Sequence, residues 1–214
     1  MNRLFIILLL ALLAGCAQLR GPAPLAPAQQ ADAWAQHQAA LADFNAWMLR
    51  GRIAIRTADD SWSASLHWRE QPPDYNLRIV APLGRGTVEL AGNAELVTMQ
   101  APDQPEQTAP DAETLLLQNL GWSVPLAGLT YWVRGLPAPD WAVDRLTLDA
   151  NGRLATLEQA GWGLKVSDYL QSDGLHLPRR LELIHDEFRL RLVAQSWEAL
   201  PAAASTQARW IVPE

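Results

Sequence analysis

The chain has 214 residues, of which 49% are apolar and 19% charged, enough for one domain with a hydrophobic core and too few for two. The formal net charge is -6, and no block of lysine or arginine stands out, which argues against a nucleic-acid partner because phosphate neutralisation needs clustered cations. The single cysteine, Cys16, excludes an internal disulfide framework and a metal site built from several thiolates.

Residues 1–15 are predicted to be a signal peptide. Arg3 gives the start a positive charge, and residues 4–13 form an apolar run too short to span a bilayer as a helix. The sequence Leu13-Ala14-Gly15-Cys16 matches the bacterial lipobox, in which the signal is removed and the new N-terminal cysteine is acylated. An ordinary signal with an incidental cysteine is the alternative.

Acylation of Cys16 predicts a lipid-anchored protein. The expected modification is an N-terminal acyl group together with a diacylglyceryl group, and because one acyl chain binds a membrane only marginally, several chains give a stable anchor. Ala17 follows the cysteine, whereas aspartate at that position is associated with retention in the inner membrane. We therefore expect the protein to be anchored at the periplasmic face of the outer membrane.

A stretch rich in proline and alanine follows at 16–30. Its three prolines disfavour a regular helix and favour an extended spacer, so we predict a tether between the anchor and the domain. Residues 31–47 place apolar side chains at helical spacing and predict a packed helix. The folded domain is expected to occupy 31–197, and the alanine-rich residues 198–214 to form a loosely held tail.

Alternation of apolar and polar side chains dominates the next part of the chain. It runs through 49–56 and 61–69, and Asp59-Asp60 between them favours a turn, so these segments predict a hairpin. Further strands are expected around 75–79, 87–90 and 96–100. The sheet is therefore predicted to be antiparallel, with consecutive strands paired.

The middle of the chain changes to helical spacing. Residues 112–120 predict a short helix that ends at Gly121, because glycine suits the left-handed C-terminal position. Pro125 opens a second helix, which Gly135 and Pro137 stop. Strands resume on both sides of Asn151-Gly152, a strong hairpin signal. Their expected ranges are 145–149, 154–157, 164–170, 181–185 and 188–197.

About ten to eleven antiparallel strands and three helices predict a mainly β fold with an α cover. A curved antiparallel sheet that forms an incomplete (half) β-barrel, closed by helices over a hydrophobic cavity, fits this pattern. A two-sheet sandwich is the alternative. Ten tryptophans, against three tyrosines and three phenylalanines, suit the lining of a lipid-sized cavity or a packed core equally well.

No catalytic pattern is found in the sequence. The four histidines are scattered without metal-ligand spacing, and His185-Asp186-Glu187 is interpreted as a solvated turn. Gly84-Arg85-Gly86 lacks the third glycine of a dinucleotide fingerprint, and 121–125 lacks the closing glycine of a nucleophile elbow. We therefore expect a protein that is not an enzyme and holds no metal or cofactor.

Six motifs between 34 and 137 carry a family resemblance. They are Trp34-x-x-His37-Gln38, Leu49-x-Gly51-Arg52-Ile53-Ala54-Ile55, Trp62-Ser63-Ala64-x-Leu66-x-Trp68, Pro82-Leu83-Gly84, Gly121-Trp122-x-Val124-Pro125-Leu126 and Tyr131-Trp132-Val133-x-Gly135-Leu136-Pro137. In this order they resemble the LolB family of outer-membrane lipoprotein receptors. The resemblance implies a cavity that takes the acyl chains of tri-acylated lipoproteins from the periplasmic carrier LolA and passes them to outer-membrane lipids.

A relay of this kind agrees with the composition. Exposing acyl chains to water costs about 0.8 kcal/mol per methylene, and transfer between similar apolar cavities needs no nucleotide. A monomer is expected. The candidate acyl-chain lining is the apolar face of the early strands and of the helical cover: Trp62, Leu66, Trp68, Leu77, Ile79, Val88, Leu90, Leu116, Leu120, Leu129 and Trp132.

Leu83 lies between Pro82 and Gly84 at an expected turn, where leucine gains little from local propensity. Position alone favours a leucine folded back onto the domain. The family resemblance implies instead a protruding loop that contacts the membrane during delivery. Two other functions stay open: a noncatalytic outer-membrane lipoprotein that scaffolds envelope proteins, and a periplasmic hydrolase with dispersed catalytic residues.

Overall fold

One antiparallel sheet of eleven strands organises the chain in the computed structural model, which describes residues 25–82 and 86–202. The sheet is open, and its edges are β6 and β7. The strands are β1 (Trp47–Arg56), β2 (Ser61–Gln71), β3 (Asp74–Val80), β4 (Thr87–Gly92), β5 (Val97–Gln100), β6 (Gln107–Ala109), β7 (Val143–Leu148), β8 (Leu154–Gln159), β9 (Trp162–Ser172), β10 (Leu175–His185) and β11 (Phe188–Ala199).

The strand order β6-β5-β4-β3-β2-β1-β11-β10-β9-β8-β7 confirms the predicted half-barrel and excludes the sandwich. Neighbouring strands are consecutive in the chain except at the centre, where β1 pairs with β11. Strand β6 escaped prediction because three residues are too few to show a period of two. Strand β11 continues to Ala199, two residues into the predicted tail.

Helix α1 (Pro27–Leu41) differs from its predicted range at both ends. It begins inside the expected tether, since proline in the first turn lacks only an N–H that would have no helical partner. It ends at Leu41, and Trp47 already belongs to β1, where it is buried between Trp68 and Trp197 with ring centroids 5.0 and 5.1 Å away. Trp47 is therefore a residue of strand β1 and not of the predicted helix.

The predicted hairpin at Asn151-Gly152 is confirmed and serves as the docking point of α1. Gly152 has a φ of +74°, and a Cβ atom there would lie 2.4 Å from the Cβ of Ala33. The Gln30 Nε2 atom donates a 2.9 Å hydrogen bond to the carbonyl of Asp149 in the same hairpin. Only glycine allows the helix to approach so closely.

Two short helices connect the edge strands β6 and β7. Helix α2 (Ala112–Leu120) ends at Gly121, whose φ is +74°, and helix α3 (Leu126–Trp132) follows Pro125, both as the sequence predicts. The helices lie over the inner face of the sheet and complete one hydrophobic core with it. The two helices thereby cover the inner side of the sheet.

Candidate functional site

A cavity of about 50 Å³ lies between the inner face of the sheet and the helices α2 and α3. Only apolar atoms of the lining side chains face the cavity, so it offers contacts to hydrocarbon and no hydrogen bonds. The lining consists of Ile53, Ile55, Leu66, Trp68, Leu77, Ile79, Leu90, Ala112, Leu116, Trp122, Val124, Leu126, Leu129, Val133, Leu190 and Leu192.

Seven of the eleven side chains predicted from the sequence surround this cavity. Their alternation on β2 to β4, and their spacing on α2 and α3, place them on the inner side. They are Leu66, Trp68, Leu77, Ile79, Leu90, Leu116 and Leu129.

The other four predicted side chains lie outside this lining. The indole of Trp132 points to β8 instead, because its Nε1 atom donates a 2.8 Å hydrogen bond to Oε1 of Gln159. Trp62 lies beside Trp122, with ring centroids 6.2 Å apart. Val88 and Leu120 are half-buried and pack against the core.

Nine of the sixteen lining side chains were not among those predicted: Ile53, Ile55, Ala112, Trp122, Val124, Leu126, Val133, Leu190 and Leu192. Leu190 and Leu192 follow the alternation of a strand. The pairing of β1 with β11, which brings them beside Ile53 and Ile55, cannot be recognised from the local sequence pattern. Trp122 belongs to an irregular connection, where no period applies. The six-residue motif that begins at Gly121 was the only available signal.

The N-terminal half of the helical cover is held by side-chain hydrogen bonds. The Asp111 carboxylate caps α2 by accepting a 2.7 Å bond from the Thr114 backbone, which lowers the pKa of Asp111. Glu113 on α2 accepts a 2.9 Å bond from the Leu126 backbone and so ties the start of α3 to α2. The side chains of Asn119 and Gln107 join α2 to β6.

The C-terminal end of the cover rests on a buried glutamine. Gln159 accepts hydrogen bonds from Trp132 Nε1 and from the Ala138 backbone through Oε1, and its Nε2 donates to the carbonyls of Ala138 and Trp141. Both ends of its amide are therefore satisfied in the core, where an unsatisfied amide would be costly. This network fixes the chain between α3 and β7.

Arg134 provides a second buried support. Only 3% of its surface is exposed, and its guanidinium donates hydrogen bonds to the carbonyls of Phe44 at 2.8 Å and Thr130 at 3.0 Å. Its guanidinium carbon also lies 5.0 Å from the ring centroid of Tyr131. Burial lowers the pKa of Arg134, and these partners hold the end of α3 against the segment that precedes β1.

An aromatic cluster closes the cavity at one end of the sheet. Trp122 lies between Trp62 and Phe188, with ring centroids 6.2 and 5.4 Å away, and Phe188 contacts Trp162 at 5.8 Å. The buried Nε1 atom of Trp122 has no hydrogen-bond partner in the described part of the chain. The tryptophans thus have two roles: Trp68 and Trp122 line the cavity, and the others pack in the hydrophobic core.

The predicted delivery loop is described only at its edges. Pro82 is exposed, and the Ala81 backbone N–H donates a 3.0 Å bond to the Gly86 carbonyl, which brings the ends of β3 and β4 together. Leu83 and Gly84 lie outside the described residues, as do Cys16, the predicted signal peptide and residues 203–214.

The described residues were also compared with the requirements of a metal site and of a membrane-spanning helix. Within 25–82 and 86–202, no cluster of three or more histidine, cysteine or acidic side chains is arranged to hold a metal ion. None of the helices in this part of the chain has the length and apolar character needed to cross a membrane.

Comparison with known proteins identifies the family of this fold and cavity. The family model described as Outer membrane lipoprotein LolB matches residues 45–197. The chain belongs to the LolB family. As a member of it, the chain has a role in lipoprotein localisation at the outer membrane. The LolB family is known for lipoprotein receptors and not for enzymes.

Relatives named Outer-membrane lipoprotein LolB match over most of the chain. The LolB protein of Nitrosococcus oceani is 43% identical over 197 residues, which cover 92% of this chain and 97% of the relative. The LolB protein of Pseudomonas paraeruginosa is 41% identical over 189 residues, covering 88% and 92%. A crystal structure of a LolA superfamily protein from Nitrosomonas europaea has the same fold, with a TM-score of 0.53 at 9% identity, over 83% of this chain and 94% of that one.

Proposed function

We propose that this LolB-family protein accepts acylated lipoproteins from the periplasmic carrier LolA into the cavity under α2 and α3, and inserts them into the outer membrane. The observation that carries the proposal is the wholly apolar lining. Such a lining replaces the water that an acyl chain would otherwise contact, at about 0.8 kcal/mol per methylene.

Acceptance of cargo requires the cavity to widen. Its volume of about 50 Å³ is below the roughly 300–1,000 Å³ of pockets that hold small-molecule ligands. The part of the cover that can move is the N-terminal half, because it is held by hydrogen bonds at or near the surface, whereas the end of α3 is fixed by Arg134 and Gln159. Opening at α2 would admit a chain while the rest of the sheet stays in place.

The anchor and the delivery loop complete the proposal. A lipid on Cys16 would hold the protein on the periplasmic face of the outer membrane, and several acyl chains would make that attachment stable. Leu83, in the loop between β3 and β4, would contact the bilayer during delivery, as the family resemblance implies. Passage from one apolar cavity to another and then into a bilayer requires no nucleotide.

The deciding experiment is transfer of cargo from LolA. The mature chain with Cys16→Ala is mixed with LolA that carries a tri-acylated lipoprotein, without nucleotide, and the two proteins are then separated. We expect the lipoprotein to be found on this chain. No transfer to a folded chain would contradict the proposal and favour the scaffold interpretation, in which the apolar residues are core alone.

Adjacent leucines on α2 provide a matched pair of variants. Leu116 lines the cavity, whereas Leu117 points outward with 57% of its surface exposed. Leu116→Glu places a carboxylate where the acyl chain would lie and should abolish transfer, while Leu117→Glu should preserve it. Equal transfer by the two variants, both confirmed as folded by circular dichroism, would show that the cavity does not hold the cargo.

A further inference from the structure

The outer face of the sheet, which is turned away from the helices and the cavity, carries a concentration of arginines at its centre. Of the seven charged residues on β1 to β3, five are arginines, and the other two, Glu70 and Asp74, lie beside the turn between β2 and β3. All five arginines are exposed. We name this surface the arginine face and define it by Arg50, Arg52, Arg56, Arg69 and Arg78.

These arginines differ from five others of the described chain in how their charge is compensated, whereas Arg180 on β10 resembles them in having no ion pair there. Arg145, Arg153, Arg179, Arg189 and Arg191 each lie within 3.4 Å of a carboxylate oxygen. Among the residues that the structure describes, no arginine of the arginine face forms such an ion pair. Glu89, opposite Arg78 on β4, instead accepts a 2.7 Å hydrogen bond from Asn76. The positive charge is thus left to solvent in a chain whose net charge is -6.

The strand register brings these side chains close together. Arg50 lies opposite His67, and His67 lies opposite Arg78, on strands about 4.8 Å apart. Between them runs a groove of about 540 Å³, lined among others by Met48, Arg50, His67, Asn76 and Arg78. Neighbouring like charges repel each other, and an anionic partner would relieve this repulsion.

Apolar side chains on the same surface indicate the kind of partner. Arg52 lies between Val193, with 41% of its surface exposed, and Ser65, whose other neighbour is Val80 at the end of β3. Exposed Pro82 follows Val80 closely in the chain. Arginines mixed with small apolar side chains suit the interface of a bilayer, where charged heads contact phosphates and apolar parts contact the acyl boundary.

We infer that the arginine face docks the domain onto a membrane surface that contains anionic phospholipids. Phosphate headgroups supply the missing negative charge, and the family's association with the outer membrane places a bilayer within reach. Docking by this face turns α2 and α3 away from the bilayer, so the cavity stays accessible to a carrier. The inference goes beyond the proposed transfer of cargo and does not depend on it.

Vesicle flotation tests this inference without the lipid anchor. The sheet and core lie entirely within residues 25–202, so a mature chain with Cys16→Ala keeps every described contact. Its binding is compared on vesicles of phosphatidylcholine alone and of equal parts phosphatidylcholine and phosphatidylglycerol. We expect binding only to the anionic vesicles, weakening as salt screens the charges.

The double variant Arg52→Gln with Arg78→Gln should bind the anionic vesicles about thirty-fold more weakly, since each arginine near an anionic surface contributes about five-fold. The control, Arg145→Gln with Arg179→Gln, makes the same change of net charge elsewhere in the sheet and should bind like the wild type. An equal loss in both double variants, or no dependence on phosphatidylglycerol, would overturn the inference.

One further outcome assigns the arginine face to a protein partner. If the Arg52 and Arg78 variant binds vesicles normally but takes up less cargo from LolA, the face contacts the carrier and the inference is wrong. The urea midpoint of each variant shows that its fold is intact. Cargo uptake by the wild-type chain is measured separately, so failure of membrane docking remains distinct from failure of the proposed transfer.

Discussion

The indole Nε1 atom of Trp68 donates a 3.1 Å hydrogen bond to Oε2 of Glu70, two residues along the same strand. The ring of Trp68 lines the cavity, so a partly buried carboxylate lies directly beside the apolar site. Burial raises the pKa of Glu70 to about 7, although the hydrogen bond from Trp68 and the charge of Arg134 both lower it. The carboxyl therefore titrates near neutral pH.

This pKa makes stability depend on pH. Between the ordinary value of 4.5 and about 7, the folded chain binds more protons than the unfolded chain, so the free energy of unfolding falls as the pH rises. Glu70→Gln should remove that loss and stabilise the protein above pH 7 by the order of 2 kcal/mol, allowing for partial exposure. Urea unfolding of both proteins below pH 4 and at pH 8 measures the difference. Glu95→Gln, at an exposed turn, should show no such gain.

His37 on α1 gives a pH dependence of opposite sign. It lies between Trp34 and Tyr169, and burial, with the charges of Arg153 and His176, lowers its pKa to about 4. As the pH falls from 6.5 towards 4, the unfolded chain binds the proton first and stability is lost. His37→Leu should reduce this loss, measured as the change in urea midpoint between pH 7.5 and pH 5. An unchanged pH slope would contradict the prediction.

Gly51 allows the central strands to pair closely. A Cβ atom at this position would lie 2.6 Å from the carbonyl oxygen of Val193, beside the irregularity in the β1–β11 register. Gly51→Ala should therefore destabilise the protein by about 1–3 kcal/mol, the usual range for overpacking. Gly163→Ala is the matched control, because its Cβ would meet only the Ile184 carbonyl oxygen, at 3.8 Å. Equal urea midpoints for the two variants would argue against a close approach at Gly51.

Leu83 is expected to act in delivery and not in uptake. Leu83→Glu should leave transfer from LolA unchanged and should block insertion of the lipoprotein into vesicles, because a carboxylate in the loop resists entry into the bilayer. Leu96→Glu is the control, since Leu96 is a turn leucine with 53% of its surface exposed, between β4 and β5. If uptake by the Leu83 variant fell as much as insertion, the delivery role of this loop would be wrong.

Most of the sheet could be predicted because each strand carries its own alternation. The alternation on β1 and β2 indicated that the side chains of Ile53, Leu66 and Trp68 face inward, and Gly121 marked the end of α2. Prediction from the sequence fails where the orientation of a side chain depends on a partner that is distant in the sequence. Trp132 has the spacing of a lining residue, but its indole nitrogen finds Gln159, a partner that only the tertiary fold brings near.

The remaining errors have a common physical origin. Trp47 fits a helical spacing with Phe44 as well as a strand spacing with Leu49, and the pairing of β1 with β2 and β11 decides between them. The pairing of β1 with β11 also brings four unpredicted side chains together at the cavity: Ile53, Ile55, Leu190 and Leu192. These outcomes depend on contacts between distant segments, which a local pattern does not encode.

The central pairing of β1 with β11 also bears on how the chain folds. Every other strand pairing joins consecutive segments, so two meanders, one before and one after the connection at 121–125, can each form from contacts that are local in sequence. Local contacts form early, whereas joining the first strand to the last carries the largest loop-closure cost. A chain cleaved within 121–125 would therefore give two fragments that each retain a complete meander. Their reassembly into one sheet would report on the strength of the β1–β11 pairing together with the contacts that α1, α2 and α3 make between the two fragments.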